Sequence, residues 1–209
     1  TSSARSLYVS GGTTVNAVNN MFTCNGNTAA VEFNPVTNVN FYFNAVYNDY
    51  NAGSMCVRDV TTTSGASIYQ DNIFYKANGG TALYVDKKTL TSNYNDFYLP
   101  NGGTYTNQID LAQSGASLYA WQTVSGKDAD SIGVNPVFTD VATGNLHVSA
   151  DSGCNGRGTP AGGYTTDYDN GARDGVNPDI GADEVTGNAA MSGAYGFSDV
   201  SLAVSALMG

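Results

Sequence analysis

Four short segments share one pattern: an asparagine, one variable residue and then a large apolar residue. They are Asn20-Met21-Phe22, Asn44-Ala45-Val46, Asn72-Ile73-Phe74 and Asn95-Asp96-Phe97. The asparagines are separated by 24, 28 and 23 residues, and each segment precedes a glycine-containing turn and a strand-like run. This period is too short for a propeller blade and lacks the leucines of a leucine-rich repeat. It fits one coil of a solenoid with two or three short strands, so the sequence predicts a parallel β-helix.

The repeated asparagine has a physical reason in such a stack. Equivalent side chains of successive coils lie about 4.8 Å apart and form ladders along the axis. An asparagine amide can donate to a carbonyl of one neighbouring coil and accept from the other, and asparagine tolerates left-handed backbone angles. We therefore expect the four asparagines to occupy equivalent turns, one above another.

The strand-like runs after the glycine turns also predict a register between coils. Aligning the inward apolar residues gives a column of Val31, Val57, Val85 and Ile109. The outward neighbours in this alignment are Glu32, Arg58, Asp86 and Asp110. The first three of these alternate in sign, which favours stacked neighbours.

The composition favours strands and turns along the whole chain. Charged residues make up 12 % of it, while glycine occurs 25 times and tyrosine 14 times. Many β-branched, aromatic and turn-forming residues favour strands over helices, and the 41 % of hydrophobic residues opposes disorder. We expect the β-helix coils in residues 1–117.

The repeat ends near Leu118. Residues 118–185 are predicted to form the last coil and an irregular acidic cap, because the exposed end of a solenoid needs a cover. Trp121 begins this cap and is expected to bury its ring on the last hydrophobic rung with its N–H satisfied. Residues 186–209 could be a last strand, a short helix or a linker.

Charge and hydropathy argue against nucleic-acid binding and against a membrane-spanning helix. The formal net charge is −10 and the chain has no cluster of Lys and Arg, so a nucleic-acid footprint is absent. No apolar run reaches the roughly 18 residues of a membrane-spanning helix. The three cysteines, Cys24, Cys56 and Cys154, are either small buried residues or one disulfide and one free thiol.

Five motifs follow the coils. They read LYAWQTVSGKD at 118–128, NPVFTD at 135–140, GNLHV at 144–148, DYDNGAR at 167–173 and PDIGADE at 178–184. Together they resemble the end of bacterial right-handed parallel β-helix proteins, and the last two look like the terminal signature of that family. The resemblance implies an all-β, right-handed parallel β-helix (solenoid) in a secreted or cell-surface bacterial protein. It does not imply one biochemical activity.

The acidic cap has two interpretations. Asp167, Asp169 and Asp174 provide carboxylates in a turn-rich segment, as hard cations such as Ca²⁺ require. However, the glycine spacing of an EF-hand loop is missing, and Arg173 lies among the carboxylates. We favour Arg173 as a structural lock that pairs with one or two of them, with Ca²⁺ as the alternative and no other cofactor expected.

Catalysis has one candidate group of residues. The β-helix polysaccharide lyases use a Lys or Arg base beside Ca²⁺-bound carboxylates on an outer face, and Lys87, Arg58 and Asp86 are the residues that could act in this way. Ion pairs between coils explain the same charges equally well. His147 has no Ser or Cys motif near it, so a catalytic triad is unsupported and we interpret it as a packing or surface residue.

Tyrosines recur through the coils beside asparagine and threonine. A tyrosine ring can cover the C–H groups of a sugar while neighbouring amides bind its hydroxyls, and we expect Tyr75, Tyr84 and Tyr98 to act in this way. The sequence therefore predicts a non-enzymatic extracellular or cell-surface module, adhesin-like or structural, that contacts glycans or neighbouring protein copies. A polysaccharide lyase or glycoside hydrolase of the β-helix type is the alternative.

Overall fold

A computed structural model describes residues 5–26, 28–108 and 113–185. Within these ranges the chain is nearly all β, and its strands stack in parallel into a β-helix of about four turns. The predicted all-β solenoid is therefore confirmed. The tail at 186–209 lies outside the described residues.

Each coil contributes strands to three faces. The first coil contains β1 (Leu7–Val9), β2 (Thr14–Val18) and β3 (Met21–Cys24), and the second contains β4 (Ala29–Phe33), β5 (Asn38–Tyr42) and β6 (Ala45–Asn48). The third contains β7 (Met55–Gln70) and β8 (Ile73–Lys76), and the fourth contains β9 (Thr81–Asn93) and β10 (Asp96–Tyr98). Strand β11 (Thr104–Gln108) begins a further turn, and β12 (Gln113–Ser114) pairs with it antiparallel.

Strand pairing defines the faces. Face one consists of β1, β4, the first halves of β7 and β9, and β11. Face two consists of β2, β5 and the second halves of β7 and β9, and face three of β3, β6, β8 and β10.

The four repeated asparagines lie at the corner between faces two and three. The backbone N–H and the side-chain amide of Asn20 both donate to Oδ1 of Asn44, at 3.0 and 2.9 Å. Asn44 binds Asn72 in the same way, and Asn72 binds Asn95. The residue before each asparagine has a φ between 51° and 58°. The ladder therefore holds a left-handed turn in every coil without glycine.

The predicted pairing of outward residues is right between the second and third coils and wrong between the third and fourth. Glu32 lies opposite Arg58, as predicted. Arg58, however, lies opposite Tyr84, and Asp86 lies opposite Val60, two residues further along. A shift of two residues leaves every side chain on its original face, so the alternation of apolar and polar residues could not select between the two registers.

The inward column differs in the same way. It contains Val31, Val57 and Leu83, where Val85 had been expected in place of Leu83. The expected members Ile109 and Asp110 lie outside the described residues. The core beside this column contains a row of aromatic rings, in which Phe41 lies 6.1 Å from Phe22 and 6.4 Å from Phe74.

The three cysteines are buried and form no disulfide. Cys24 and Cys56 belong to the core inside the coils, and Cys154 belongs to a second apolar cluster between face three and the cap. Of the two interpretations left open by the sequence, the structure therefore supports three small buried side chains.

The segment after the coils first closes the end of the stack. Helix α1 (Leu118–Ser125) lies against β11 and β12, where the sequence had suggested an irregular cap. Ser117 caps its N-terminus by accepting from the N–H of Ala120, and Gly126 ends it with a φ of 66°. Trp121 is completely buried in the core of the coils, and its Nε1 donates to Asp128 Oδ2 at 2.7 Å.

The chain then runs back along the outer side of face three, through the hairpin of β13 (Phe138–Asp140) and β14 (Asn145–Val148). Leu146 and Ile180 of this segment pack on Ala45 and Ile73 of face three. The side chain of Asn19, in the first coil, donates to the carbonyl of Thr166 at 2.6 Å. Residues 118–185 thus cover one end and one side of the β-helix, because outer residues of face three such as Ala45 and Ile73 are apolar.

Arg173 connects the acidic part of the cap to the first two coils. Its guanidinium is buried and donates to the carbonyls of residues 181–182, both at 2.9 Å, and to Asn19 Oδ1 at 3.1 Å. It also lies 3.4 Å from Glu184 Oε2 and 4.1 Å from the ring centroid of Phe43. Arg173 therefore binds backbone carbonyls, an amide and a ring in addition to a single carboxylate.

The asparagine ladder yields a stability prediction. Replacing Asn72 by Ala removes the bonds of its amide to the carbonyls of Phe41 and Gln70 and leaves buried donors and acceptors without partners. We expect the free energy of unfolding, measured by chemical denaturation, to fall by about 2–4 kcal/mol. The matched control is Asn40→Ala, which breaks an exposed amide pair with Asn16 and should cost under about 0.5 kcal/mol. Equal losses in both variants would contradict the prediction.

The contacts of Arg173 yield a second stability prediction. We expect Arg173→Met to lower the free energy of unfolding by about 2–4 kcal/mol, because it leaves buried carbonyls without a donor and removes the cation beside Glu184. Arg157→Met changes an exposed arginine of the same cap and should stay within about 0.5 kcal/mol. Thermal or denaturant unfolding of the two variants checks this, and a small effect at both positions would show that Arg173 is not a lock.

Candidate functional site

The outer side of face three carries a row of tyrosines. Tyr47, Tyr75 and Tyr98 are aligned by the pairing of β6, β8 and β10, and we refer to them as the tyrosine row. Neighbouring rings meet edge to face, with centroids 5.0 and 4.8 Å apart. Phe138 of β13 stacks on Tyr75 at 6.1 Å, so the hairpin partly covers the row.

A cavity of about 350 Å³ opens between the coils and the cap at the Tyr47 end of this row. We refer to it as the tyrosine cleft. Its lining consists of Thr23, Cys24, Asn25, Tyr47 and Asp49 from the coils and Val141 and Ala142 from the turn of the hairpin. The coils therefore supply the polar wall and the ring, and the cap supplies an apolar rim.

The carboxylate of Asp49 is the charged group of the cleft. Its backbone N–H donates to the carbonyl of Cys24 at 3.2 Å, which anchors it at the end of β6. Its Oδ1 is shielded from solvent, yet within the described ranges no group donates a hydrogen bond to it. This oxygen therefore has an unused capacity to accept.

A buried cation lies behind Asp49. Lys76 is completely buried, and its ammonium donates to the carbonyls of Asn48 at 3.3 Å and Tyr50 at 2.9 Å. Burial lowers the pKa of Lys76, and the nearby charge of Asp49 opposes that lowering. Burial, together with Asp49 and Tyr75, raises the pKa of Tyr47, so its phenol keeps its proton and can both donate and accept. The cleft thus combines an aromatic face with several hydrogen-bonding groups.

The structure separates the three binding tyrosines that the sequence predicted. Tyr75 and Tyr98 lie together on face three, whereas Tyr84 lies on face one, where Arg58 sits 5.9 Å from its ring centroid. Tyr47 is one of the other recurring tyrosines, and Asp49, which lines the cleft with it, was not a candidate from the sequence. A signal for Tyr47 was present, because it is the third residue after a ladder asparagine, as Tyr75 and Tyr98 are.

Two members of the alternative catalytic group, Arg58 and Asp86, do not lie opposite each other. Arg58 donates to Glu32 at 2.6 Å, and the same carboxylate accepts from Arg5 at 2.5 Å. Arg58 therefore pairs with Glu32, and Asp86 lies further along the neighbouring strand. The side chain of Lys87 lies outside the described residues.

A second lysine of this region points into the coils. The ammonium of Lys88 is buried and binds the buried carboxylate of Asp59, which also accepts from Ser67 at 2.6 Å and Tyr69 at 3.0 Å. Burial raises the pKa of Asp59 and lowers that of Lys88, while their mutual attraction opposes both shifts. This pair is part of the interior and faces no groove.

The predicted metal candidates have different partners. Asp167 is buried and accepts the N–H groups of Asp169 at 3.0 Å, Gly171 at 2.6 Å and Glu184 at 3.2 Å. Asp174 accepts two N–H groups of the turn that follows it, and these bonds lower its pKa. Both carboxylates thus fix their own loops. Asp169 instead reaches the side chain of His147.

Two buried carboxyl groups of the coils, Asp96 and Asp71, bind the cap, and a third, Asp179, lies within the cap. Burial raises the pKa of Asp96 to about 8, that of Asp71 to about 7 and that of Asp179 to about 6. Asp96 accepts the N–H of Val134 at 2.9 Å, and Asp71 accepts the N–H of Thr159 at the same distance. Because these pKa values exceed the ordinary carboxyl value, the folded state binds protons more tightly than the unfolded state. The resulting stability is present near pH 4 and is lost as the pH rises toward 8.

No family model, curated protein or solved structure matches this chain. In the part of the chain that the structure describes, no helix is long and apolar enough to cross a membrane.

The raised pKa of Asp96 yields a third prediction. Between pH 5 and pH 8 we expect the free energy of unfolding to decrease with rising pH, with Asp96 contributing up to about 1.4 kcal/mol per pH unit. Asp96→Asn, which cannot ionise, should show a shallower decrease in denaturant unfolding at several pH values. Asp151→Asn, at an exposed position, should keep the slope of the parent chain. Parallel pH profiles for the parent chain and Asp96→Asn would contradict the assignment.

Proposed function

We propose that this chain is a non-enzymatic extracellular or cell-surface β-helix module that binds a neutral glycan in the tyrosine cleft. The observation that carries the proposal is that the Tyr47 ring and the Asp49 carboxylate line the same cavity. A sugar offers both complements, a face of C–H groups for the ring and hydroxyl donors for the carboxylate.

The other groups of the cleft suit the same ligand. Thr23 and Asn25 can donate to and accept from sugar hydroxyls, and Val141 and Ala142 form an apolar rim. The negative charge of Asp49 and the net charge of −10 oppose the capture of polyuronates, so a neutral glycan fits better. The preferred ligand is therefore uncharged and rich in hydroxyls.

Face two could extend the contact beyond the cleft. Its outer side bears aligned amides and hydroxyls, namely Thr14, Asn16, Asn38, Asn40, Thr89 and Thr91. The amide of Asn40 donates to Asn16 at 2.7 Å, so polar groups pair across the first two coils, while Ala66 and Ile68 occupy these positions in the third. Polar pairs with the strand spacing of about 4.8 Å suit an extended polymer or a neighbouring copy of the chain.

The alternative of a lyase or hydrolase needs more than the cleft lining supplies. A glycosidase places two carboxylates around the scissile bond. Among the described residues that line the cleft, Asp49 is the one carboxylate, and the lysine behind it is committed to two carbonyls. These features support binding without cleavage.

Glycan binding is tested with an array of neutral and acidic glycans, followed by calorimetry on the best neutral ligand. We expect Tyr47→Ala and Asp49→Asn each to weaken binding by at least about tenfold, since each removes an interaction worth roughly 1.4 kcal/mol or more. The matched control is Tyr8→Ala, which removes an exposed tyrosine of face one and should leave the affinity unchanged.

Three outcomes would overturn this proposal. Equal weakening by Tyr8→Ala would place the site elsewhere, and silence on every glycan would leave a structural role. Release of reducing or unsaturated ends from a bound glycan, abolished by Asp49→Asn, would move the chain to the enzyme class.

A further inference from the structure

Three segments of the cap bring potential metal ligands together. They are His147 of β14, Asp169 of the loop at 167–171 and Asp183 of the last described segment, and their ligand atoms all lie within 4.8 Å of one another. His147 Nε2 is 2.8 Å from Asp169 Oδ2. Asp183 is nearly buried, and one of its oxygens accepts the N–H of Val148 at 3.0 Å.

The imidazole of His147 is held in the orientation that a metal ligand needs. Its Nδ1 lies 2.5 Å from Oδ1 of Asn145, and the same oxygen accepts the backbone N–H of His147 at 3.2 Å. An oxygen that serves as an acceptor places the ring proton on Nδ1, so Nε2 is the nitrogen directed at the carboxylates. A histidine that binds a metal commonly donates its other ring N–H to a carbonyl or carboxylate in this way.

The charge around the cluster favours a cation. Asp183 is nearly buried, and its ligand oxygen lies within 4.8 Å of those of His147 and Asp169. Asp167 already accepts three backbone N–H groups, so it stays a support of the loop and is not counted as a ligand.

We propose that His147, Asp169 and Asp183 form a binding site for a divalent transition-metal ion, of which Zn²⁺ fits best. Zinc accepts imidazole nitrogen and carboxylate oxygen at about 2.0–2.2 Å, and a site with three protein ligands keeps a fourth position for water. The side chains of His147 and Asp169 are 30 % and 60 % exposed, which leaves that position open to solvent. Ca²⁺ prefers roughly six to eight oxygen ligands, and a nitrogen-containing trio does not match it.

Metal binding has a defined proton balance. Metal ions bind the deprotonated forms of imidazole and carboxylate, so metal binding releases any proton held there and the affinity falls as the pH is lowered. The bound ion joins the loop at 167–171 and Asp183 to β14, the strand whose hairpin turn forms the rim of the tyrosine cleft. The site itself does not depend on glycan binding.

The test uses the whole chain, freed of metal with a chelator and titrated with Zn²⁺ alone. We expect one equivalent to bind by calorimetry, with proton release and a higher melting temperature. His147→Gln and Asp183→Asn should each weaken binding at least tenfold. Asp174→Asn is the matched control, because its carboxylate serves a turn of the same cap without facing the cluster.

A second measurement separates loss of the site from loss of the fold. Co²⁺ in place of Zn²⁺ should give visible absorption bands of a low-coordinate nitrogen and oxygen site, and these bands should disappear in His147→Gln while the circular dichroism of the chain is retained. Zn²⁺ affinity unchanged by His147→Gln would overturn the proposal. So would Ca²⁺ binding of equal strength in the parent chain and in that variant, because it would show a site made of oxygens alone.

Discussion

The hydrogen bonds between Asn20, Asn44, Asn72 and Asn95 determine where each coil turns from face two to face three. Each amide is shared by adjacent coils, so a coil that slipped in phase would leave buried polar groups without partners. The three residues that follow each ladder asparagine therefore point in the same directions in every coil. The first residue after each asparagine points outward on face three, the second points into the core, and the third forms the tyrosine row in three of the four coils.

The same alignment of the coils places apolar side chains on the outer side of face three. Ala45 and Ile73, each the first residue after a ladder asparagine, would be exposed and apolar without a cover. The returning segment of the cap supplies that cover with Leu146 and Ile180, and Arg173 holds it on the first coils through Asn19 and Phe43. The tyrosine cleft lies where the cover meets the coils beside Tyr47. The candidate site is thus a consequence of how the β-helix buries one of its sides.

Charged side chains are also buried in the coils, at positions away from the asparagine ladder. Asp59 and Lys88 pair inside the coils, and Lys76 lies below the cleft with two carbonyls as partners. A buried ion pair is costly to break, although it contributes little net stability once both partners are desolvated. Asp59, Lys88 and Lys76 are therefore part of the interior of the β-helix.

The sequence by itself determined the period of the coils and the corner occupied by the asparagines, because both are written as a local repeat. It indicated Trp121 and Arg173 through their positions beside the last rung and among carboxylates. Only the tertiary structure decided the register between β7 and β9, since a slip of two residues preserves the inward and outward pattern. It also decided the return of the cap along face three. That return brings Asp169 to His147 across 22 residues and unites both with Asp183, a meeting that no local spacing encodes.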